Sequence, residues 1–404
     1  MIEFRESQLN KNITENQGIM ESSKIKEVTV FTDGDSSKLS TWSNVPYFFT
    51  ETLLGKGIKV NRVDISESAQ LCRVYNKFFD PFVKRMSKDT SYTYFRSRLH
   101  YSNVRKRVKK AVRTYKNSDV FLFLTLSFSS VGLTDKPTVM FGDWTYDYYI
   151  KHFLNRQPDC FERSCIKRDR RQIEKADLVL PLFPGIAGYM KENYSNPEIR
   201  YLGNVVNSLL LVSEKEILEK KRNSKELLFI GRKNAYLEGA EQLIKAVSLL
   251  KNDYPDVKVH IIGMKDSDFE SLPDNVCCYG YLDKADDNRR NLYYTLLQNA
   301  RFIVNTTPKW GAFSSMIEAM YFYNPVITTP YGEFTETFGK NIDFGYYSDG
   351  QSAEELAGQI KSGLQSPDYI QMCIRSHQSV EHFTWSAYVD KVIGILEDKL
   401  RVKN

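Results

Sequence analysis

A segment between residues 309 and 328, KWGAFSSMIEAMYFYNPVIT, combines a glycine, two adjacent serines and one carboxylate with an apolar helical pattern. The strand pattern RFIVNT precedes it, so the backbone amides after Gly311 are expected at a helix N-terminus, where they form an anion site. Ser314 and Ser315 fit as N-caps, and Glu318 is expected in the first turn, where the helix dipole favours a carboxylate. A capped core helix explains these residues singly, but it does not explain the order of strand, glycine loop, helix and proline-led strand.

A second candidate residue for anion binding is Arg232, in the turn Gly231-Arg232-Lys233-Asn234 that follows the strand pattern KELLFIG. A guanidinium group at a strand end presents a planar fork of five donors, which suits a diphosphate. A surface arginine at the end of a strand is the alternative interpretation, and this turn alone does not decide between the two.

The order of the elements around these residues predicts an α/β protein. Strand patterns such as EVTVF, IKVNRVDI, VFLFLTL and LVLPLF alternate with helical patterns up to about residue 207, and a second alternation starts at KELLFIG. The chain has 404 residues, which is too long for one ordinary core. We therefore predict two doubly wound domains, with ligands bound beyond the carboxyl ends of their strands in a cleft.

Composition excludes several classes of protein. Hydrophobic residues make up 42% and charged residues 26% of the chain, as in globular proteins, and the longest apolar run, Val120 to Leu126, is far too short to span a membrane. Residues 1–24 are polar without an apolar core, which predicts a disordered leader on a cytoplasmic protein rather than a signal peptide. The six cysteines form no CxxC pattern, so we expect buried free thiols rather than disulfides or a zinc site.

Residues 95–117 contain nine Lys or Arg and no acid, and small apolar residues recur in them at helical spacing. This pattern predicts an amphipathic basic helix. Its polar face is either simply solvated or attracted to an anionic membrane surface. No nucleic-acid recognition module accompanies the charge, so nucleic acid is not favoured. The cations expected to face a membrane or acceptor are Arg105, Lys106, Arg107, Lys109 and Lys110.

Taken together, GR…EGAEQLIKAV, VHIIG, GYL and GAFSSMIEAMYFYNPVITTPYGE resemble the donor half of a GT-B glycosyltransferase. They are most similar to the retaining group called glycosyltransferase family 4. The resemblance covers residues 227–336 well and the first half only by element order. It implies two Rossmann-like domains that face a central cleft. The implied parts are the leader (1–24), an N-terminal acceptor domain (25–207), a C-terminal donor domain (208–384) and a helix from Trp385 that crosses back to the N-terminal domain (385–404).

The resemblance also implies roles for individual residues. Glu318 matches the second glutamate of the family's Glu-x7-Glu motif, which binds the ribose hydroxyls of the donor nucleotide. Arg232 matches the arginine that binds the diphosphate. Gly34, in the turn after the first strand, would face the donor phosphates. The other residues implied at the nucleotide or phosphate are Gly231, Lys233, Tyr281, Leu282, Trp310, Gly311, Phe313, Ser314, Ser315 and Met316.

Three positions depart from the family pattern. Trp310 stands where the first glutamate of Glu-x7-Glu is expected, and Glu238 replaces the lysine of a Lys-Gly pair, so Lys233 or Lys309 would have to supply that cation. Asp143, in FGDW after the strand PTVMF, replaces a histidine and becomes the candidate polar group beside the reacting sugar. An N-cap or a strand-end turn is the alternative for it.

These residues predict an enzyme that moves a sugar from a UDP- or GDP-linked donor to a glycan or lipid-linked acceptor, as in bacterial surface polysaccharide assembly. We expect retention of configuration and no metal or other cofactor, because the Asp33-Gly34-Asp35 turn fits a glycine turn better than a metal motif. We expect a cytoplasmic protein that is peripheral at the inner face of the membrane. Two alternatives stay open: a non-catalytic GT-B partner of another transferase, which Trp310 and Glu238 would favour, and a nucleotide-sugar epimerase.

Overall fold

The computed structural model describes residues 24–307, 312–350 and 352–402. The described residues divide into two compact units, an N-terminal unit of residues 24–203 with 385–402 and a C-terminal unit between residues 204 and 384. The predicted disordered leader lies outside the described residues, apart from Lys24.

The N-terminal unit contains one parallel sheet of five strands in the order β2-β1-β3-β4-β5. Strands β1 and β3 to β5 are almost entirely buried, as expected for a parallel sheet with covered faces, whereas β2 at the edge is not. The strands are β1 (Glu27–Thr32), β2 (Lys59–Asp64), β3 (Val120–Phe123), β4 (Thr138–Gly142) and β5 (Leu178–Pro181).

Helices connect these strands and cover the sheet. The α-helices are α1 (Val45–Gly55), α2 (Ala69–Met86), α3 (Arg98–Thr114), α4 (Cys160–Lys175) and α5 (Pro184–Asn193). Shorter helical turns span Thr41–Asn44, Tyr94–Arg96, Tyr146–Tyr148 and Tyr149–Phe153. The predicted basic amphipathic helix is α3: Ser97 caps it by accepting from the His100 N–H, and its apolar stripe packs against the core around Phe31 and Phe121.

The C-terminal unit contains a second parallel sheet, with six strands in the order β11-β10-β9-β6-β7-β8. These strands are β6 (Glu226–Ile230), β7 (Lys258–Ile262), β8 (Val276–Cys278), β9 (Phe302–Asn305), β10 (Val326–Thr328) and β11 (Gly345–Tyr347).

The helices of the C-terminal unit are α6 (Glu214–Arg222), α7 (Lys233–Leu250), α8 (Asp287–Asn299), α9 (Ala312–Tyr321), α10 (Gly332–Phe338), α11 (Ala353–Gln365) and α12 (Tyr369–Gln378), with a 3-10 turn at Asp266–Asp268. The last helix, α13 (Trp385–Val402), belongs to the N-terminal unit, where Trp385 packs its ring 5.5 Å from that of Phe49. Helix α10 and strand β11 were not predicted from the sequence.

The two strand orders locate the ligand crevices. In each sheet the order reverses at one point, between β1 and β3 in the N-terminal unit and between β6 and β9 in the C-terminal unit. In doubly wound sheets, ligands bind beyond the carboxyl ends of the strands at this switch point. The predicted fold class, two doubly wound Rossmann-like domains, is confirmed.

Two further sequence expectations can be compared with the structure. All six cysteines are free, but only Cys165 and Cys373 are buried, so the expectation of buried thiols is wrong for the other four. None of the described helices is both long enough and apolar enough to cross a membrane.

Candidate active site

The carboxyl ends of β6 and β9 bring together the first candidate residues. Arg232 directly follows β6 at the N-terminal end of α7, and its side chain is exposed. Helix α7 lies very close to the loop after β9, since a Cβ atom added to Gly239 would lie 2.4 Å from the Thr307 hydroxyl oxygen. Only glycine fits that contact, and the buried Thr307 hydroxyl has no hydrogen-bond partner among the described residues. The exposed Arg232 and the unpartnered Thr307 hydroxyl therefore both lie at the switch point, where doubly wound sheets bind ligands.

Glycines also hold the neighbouring strand ends together. The Gly231 N–H donates to Ile262, and the Gly263 N–H donates to Gly280 at 2.8 Å. Gly263 has a φ of +99°, and a Cβ atom on it would lie 2.5 Å from the Gly231 carbonyl oxygen. The loops after β6, β7 and β8 consequently approach each other closely enough to form one continuous edge.

Lys233 is less available for a phosphate than the sequence suggested. Its ammonium group forms an ion pair with Asp268 at 3.2 Å. Glu238 is exposed on α7. Lys309, the other substitute cation, lies outside the described residues, as do Trp310 and Gly311.

Glu318 does not begin a helix. Helix α9 includes Ala312, so Glu318 lies in its second turn, and the expectation of a first-turn carboxylate is wrong. The expectation that Ser314 and Ser315 are N-caps is wrong for the same reason, and the Ser315 hydroxyl instead donates to the Ala312 carbonyl at 2.8 Å. Glu318 is 5% exposed, so neither a free helix end nor solvent stabilises its charge.

Two residues that sequence reasoning missed hold the Glu318 carboxylate. Lys284 Nζ donates to Oε1 at 2.5 Å, and the Tyr293 hydroxyl donates to Oε2 at 2.9 Å. The same ammonium group also donates to the Asn207 carbonyl and lies 4.5 Å from the centre of the Tyr293 ring. A carboxylate has about four acceptor positions, so these two contacts leave about two acceptor positions on Glu318.

The remaining nucleotide candidates divide into exposed and buried residues. Tyr281, which follows Gly280 after β8, is 60% exposed and can stack on a base, whereas Leu282 is buried. Phe313 and Met316 are also buried, and the Phe313 ring packs 6.3 Å from that of Phe334 in the core. Their side chains are therefore not free to contact a nucleotide, and the expectation that these residues line the nucleotide or phosphate stays a prediction about their backbone.

The N-terminal unit contains a cavity of about 460 Å³ at the carboxyl ends of β1, β3 and β4. Three carboxyl groups and one guanidinium group line it, together with aromatic rings. These lining residues include Asp33, Asp143, Asp169, Arg96, Trp42 and Trp144. Aromatic faces and polar acceptors are what a sugar ring with hydroxyl groups requires.

Burial raises the pKa of all three carboxyl groups. It raises the pKa of Asp143 to about 6 and that of Asp169 to about 6, while the pKa of Asp33 is raised by burial and by the nearby charge of Asp64. The charge of Arg96 acts in the opposite direction on Asp143 and Asp169. Carboxyl groups with a raised pKa in one cavity are a recurrent feature of functional sites.

Asp143 follows β4 directly, and its Oδ1 accepts from the Trp144 N–H at 3.1 Å. The cap of the following helical turn is Thr145, which accepts from the Tyr148 N–H, so Asp143 is not that N-cap. Arg96, which sequence reasoning did not place in this site, lies with its guanidinium 4.1 Å from the centre of the Tyr146 ring. Only its position in a basic run was visible in the sequence.

Gly34 also lies at the carboxyl edge of the N-terminal sheet. It has a φ of +103°, and its N–H donates to Asp64 Oδ1 at 3.0 Å, so it forms the predicted turn. Asp35 accepts from the Ser37 hydroxyl and N–H. The residues described here contain no group of three or more His, Cys, Asp or Glu placed to hold a metal ion.

The basic helix α3 presents fewer cations than predicted. Arg105 donates to the Ser129 and Val131 carbonyls, and Arg107 donates to backbone carbonyls before α2 and to Glu67. These two arginines tie α3 to the rest of the unit, so they are less available to a membrane or acceptor than the sequence suggested. Four other cations, together with Thr114, line an open groove of about 350 Å³: Lys106, Lys109, Lys110 and Arg113.

Comparison with known proteins agrees with this arrangement. Residues 213–380 match the model of the family described as glycosyl transferases group 1. No curated protein matches the chain.

Several solved structures have a similar fold. WaaG, a glycosyltransferase involved in lipopolysaccharide biosynthesis, has a TM-score of 0.61 at 13% identity and covers 92% of this chain and 99% of its own. HepE of Anabaena, in complex with UDP and glucose, has a TM-score of 0.59 at 12% identity with coverages of 92% and 99%. Sucrose-phosphate synthase from Thermosynechococcus elongatus has a TM-score of 0.58 at 15% identity with coverages of 94% and 100%. At these identities the likeness establishes the fold.

The fold, with one doubly wound parallel sheet in each of two units, defines the class of protein as GT-B. Within that class, the glycosyl transferases group 1 domain over residues 213–380 indicates a glycosyltransferase, as the resemblance to glycosyltransferase family 4 implied.

Proposed function

We propose that the protein transfers a sugar from a nucleotide-diphosphate sugar, UDP- or GDP-linked, to a glycan or lipid-linked acceptor. The C-terminal unit binds the donor and the N-terminal unit binds the acceptor. The observation that supports the donor half is the switch point between β6 and β9, where an exposed arginine lies beside a glycine-lined edge. HepE, a structure of similar fold, contains UDP and glucose, which supports a UDP-linked donor.

The reaction proposed is metal-independent and retains configuration. The bond between the anomeric carbon and the diphosphate oxygen breaks, and the acceptor oxygen forms a new bond to that carbon. The acceptor proton passes to the leaving diphosphate, whose growing charge Arg232 and the N-terminus of α7 stabilise. The cavity of the N-terminal unit binds the acceptor, and Asp143 accepts a hydrogen bond from a reacting hydroxyl there.

The donor assignment is tested by nucleotide binding. Thermal unfolding in the presence of UDP, GDP and ADP should identify one nucleotide that raises the unfolding temperature. A complete lack of response to all three would contradict the proposal. Mass spectrometry with a panel of nucleotide sugars and cell-derived lipid-linked acceptors would then identify the substrates.

Arg232→Ala is expected to weaken UDP binding by roughly 10- to 100-fold and to leave uridine binding unchanged, because a charge-assisted, bidentate contact to the diphosphate is lost. Isothermal titration calorimetry with UDP and with uridine measures both affinities. The matched control is Lys245→Ala, which removes an exposed cation farther along α7. Equal losses for UDP and uridine in the Arg232 variant would exclude a phosphate role.

We also propose that the protein is cytoplasmic and binds the inner face of the membrane in the assembly of surface polysaccharide. The groove of exposed cations on α3 supports attraction to anionic lipid headgroups, with roughly 1 kcal/mol for each cation near the surface.

Changing Lys106, Lys109 and Lys110 together to Gln is expected to reduce binding to phosphatidylglycerol vesicles by roughly 10- to 100-fold at low salt, because three such cations are lost. Vesicle co-sedimentation measures the change. The control triple variant, Lys245, Lys251 and Lys258 to Gln, removes the same charge from exposed positions of the C-terminal unit. Equal binding by the two triple variants would remove α3 from the membrane contact.

A further inference from the structure

Helix α2 exposes an unusual amount of apolar surface. Five of its side chains are between 53% and 67% exposed, and they make up five of the twelve exposed large hydrophobic side chains in the described part of the chain. Only Val83 of this helix is buried. We call these five residues the α2 apolar face: Val74, Phe78, Phe79, Phe82 and Met86.

The α2 apolar face is continuous along the helix. Val74, Phe78, Phe82 and Met86 are spaced four residues apart, so they form one stripe over more than three turns. A patch of this kind on a folded unit marks an interaction surface, whereas single exposed apolar residues do not.

Basic side chains border the α2 apolar face. Arg73, Lys77 and Lys84 are exposed and lie on an adjoining arc about 40° wide at 100° per residue. The exposed Arg85 projects within the stripe, between the directions of Val74 and Phe78. The only acid on the helix is Asp80. Phenylalanine on one arc with Lys and Arg beside it is typical of a helix that lies in the interface of an anionic bilayer. Lysine is depleted at protein–protein interfaces, so the charge favours lipid over a protein partner or a second copy of the chain.

An aromatic series connects the α2 apolar face to the cavity of the N-terminal unit. The Phe79 ring stacks 4.7 Å from that of Tyr75, Tyr75 lies 5.2 Å from Tyr94, and Tyr94 lies 5.7 Å from Phe95. Phe95 lines the cavity and is 47% exposed, and Leu99 is almost equally exposed. Ring contacts that pass through the buried Tyr94 therefore link α2 to Phe95 at the rim of the cavity.

We propose that α2 inserts its apolar face into the interface of an anionic bilayer and thereby holds the rim of the cavity at Phe95 against the membrane. The acceptor is then an amphiphile whose polar head enters the cavity while its chain stays in the lipid. The identity of the acceptor rests on the proposed function, whereas the insertion of α2 does not.

The test is co-sedimentation with vesicles of phosphatidylcholine and phosphatidylglycerol, at about 0.1 M and at about 1 M NaCl, where headgroup charges are screened to ~3 Å. The intact protein should retain salt-resistant binding, because apolar insertion is not screened. Phe78→Ser with Phe82→Ser should lose that salt-resistant binding at least tenfold. The matched control, Leu211→Ser with Leu249→Ser, changes two exposed leucines of the C-terminal unit and should bind as the unchanged protein does.

A second variant reports insertion directly. Phe82→Trp adds an exposed tryptophan, and the fluorescence that it adds should shift to the blue on vesicle binding and be quenched by brominated lipid. Quenching supports insertion. The absence of added quenching, or equal salt-resistant binding by the α2 and control variants, would overturn the proposal.

Self-association is the competing use of this surface. Sedimentation equilibrium that shows a dimer of the unchanged protein and a monomer of the Phe78/Phe82 variant, with no vesicle effect, would assign the face to a second copy and overturn lipid docking. The UDP response of the same variants separates the two proposals. Vesicle binding without any nucleotide response would overturn the proposed function and leave α2 insertion standing.

Discussion

Glu318→Gln is expected to weaken UDP binding by roughly 10- to 100-fold, which corresponds to hydrogen bonds with a charged group at about 1.5–3 kcal/mol. A carboxylate can accept from both vicinal hydroxyls of a ribose, whereas the amide of glutamine offers one acceptor and two donors. Lys284 and Tyr293 already fix one proton donor to each oxygen of Glu318, so the carboxylate is held in one orientation before a nucleotide arrives. Binding therefore requires little reorganisation of this side chain.

The sharpest readout compares UDP with 2′,3′-dideoxy-UDP by calorimetry. The unchanged protein should bind UDP much more tightly than the dideoxy compound, and the Glu318→Gln variant should bind both alike. A variant that loses the same factor of affinity for both nucleotides would rule out contact between Glu318 and the ribose. Such an outcome would leave Glu318 as the structural partner of Lys284.

Glutamine is preferable to alanine at this position because of Lys284. The Lys284 side chain is only 11% exposed, and either substitution leaves its buried charge without an opposite charge, which costs about 3–5 kcal/mol in comparable pairs. Glutamine keeps a carbonyl oxygen that can accept from the ammonium group, whereas alanine leaves no acceptor there. An alanine variant would confuse lost binding with lost stability. Glu355→Gln is a suitable control, since Glu355 is a partly buried glutamate of the same unit that accepts from Ser348 and Gln359.

The fold could be predicted from the sequence because its signals are local. Buried parallel strands appear as short apolar runs, and the amphipathic period of α3 is visible in Val104, Val108 and Ala111, all of which are buried in the core. Glycine at strand ends, as at Gly231, and the order of the elements were sufficient to predict two doubly wound units. The resemblance over residues 227–336 then identified the donor half.

The candidate site was less predictable because its contacts are distant in sequence. Lys284 and Tyr293 reach Glu318 across 34 and 25 residues, from the loop after β8 and from α8, and no local pattern marks either residue as a partner. The start of α9 was also misplaced by a few residues. Because of that error, Glu318 was expected in the first turn, where the helix dipole would stabilise it. In the structure it lies in the second turn and is held by side chains.

The basic run of α3 overstated the charge that the helix exposes, again because the contacts of each side chain are distant in sequence. A basic run shows how many cations a helix carries, but not which of them the fold uses internally. Arg105 and Arg107 satisfy backbone carbonyls of neighbouring segments, a role that arginine fills well with its five donors. The α2 apolar face was not recognised as an exposed surface, because its period of four residues is equally typical of a buried helix face.

Asp143→Asn is expected to abolish the rise in transfer rate that the unchanged protein shows as the pH passes through about 6. Burial raises the pKa of Asp143 to about 6, so the group is protonated below that pH and ionised above it. The ionised form accepts hydrogen bonds more strongly, and we expect it to orient the acceptor hydroxyl in the cavity. At pH 8 the variant should lose roughly 10- to 100-fold in rate, which corresponds to a lost hydrogen bond to a charged group at about 1.5–3 kcal/mol.

The Asp143→Asn variant should be more stable than the unchanged protein at pH 8, although its transfer rate is lower. The pKa of Asp143 in the folded protein lies above the ordinary value of 3.8, so folding favours the neutral form. The stability that comes from this preference is complete below pH ~4 and is lost as the pH rises through about 6. Asp143→Asn should therefore increase the free energy of unfolding at pH 8, by about 1–2 kcal/mol after allowance for partial exposure, and should change it little at pH 4.

Asp169→Asn is the control that tests whether the rise in rate near pH 6 comes from Asp143 in particular. Asp169 lines the same cavity, and burial raises its pKa to about 6 as well, but it accepts from the Ser127 hydroxyl and lies beside Arg168. Its variant should share the gain in stability at pH 8 yet keep the rise in rate near pH 6. Initial rates of nucleotide release with the best donor, measured from pH 5 to 8, distinguish the two carboxyl groups. Loss of that rise in the Asp169 variant, with its retention in the Asp143 variant, would transfer the role to Asp169.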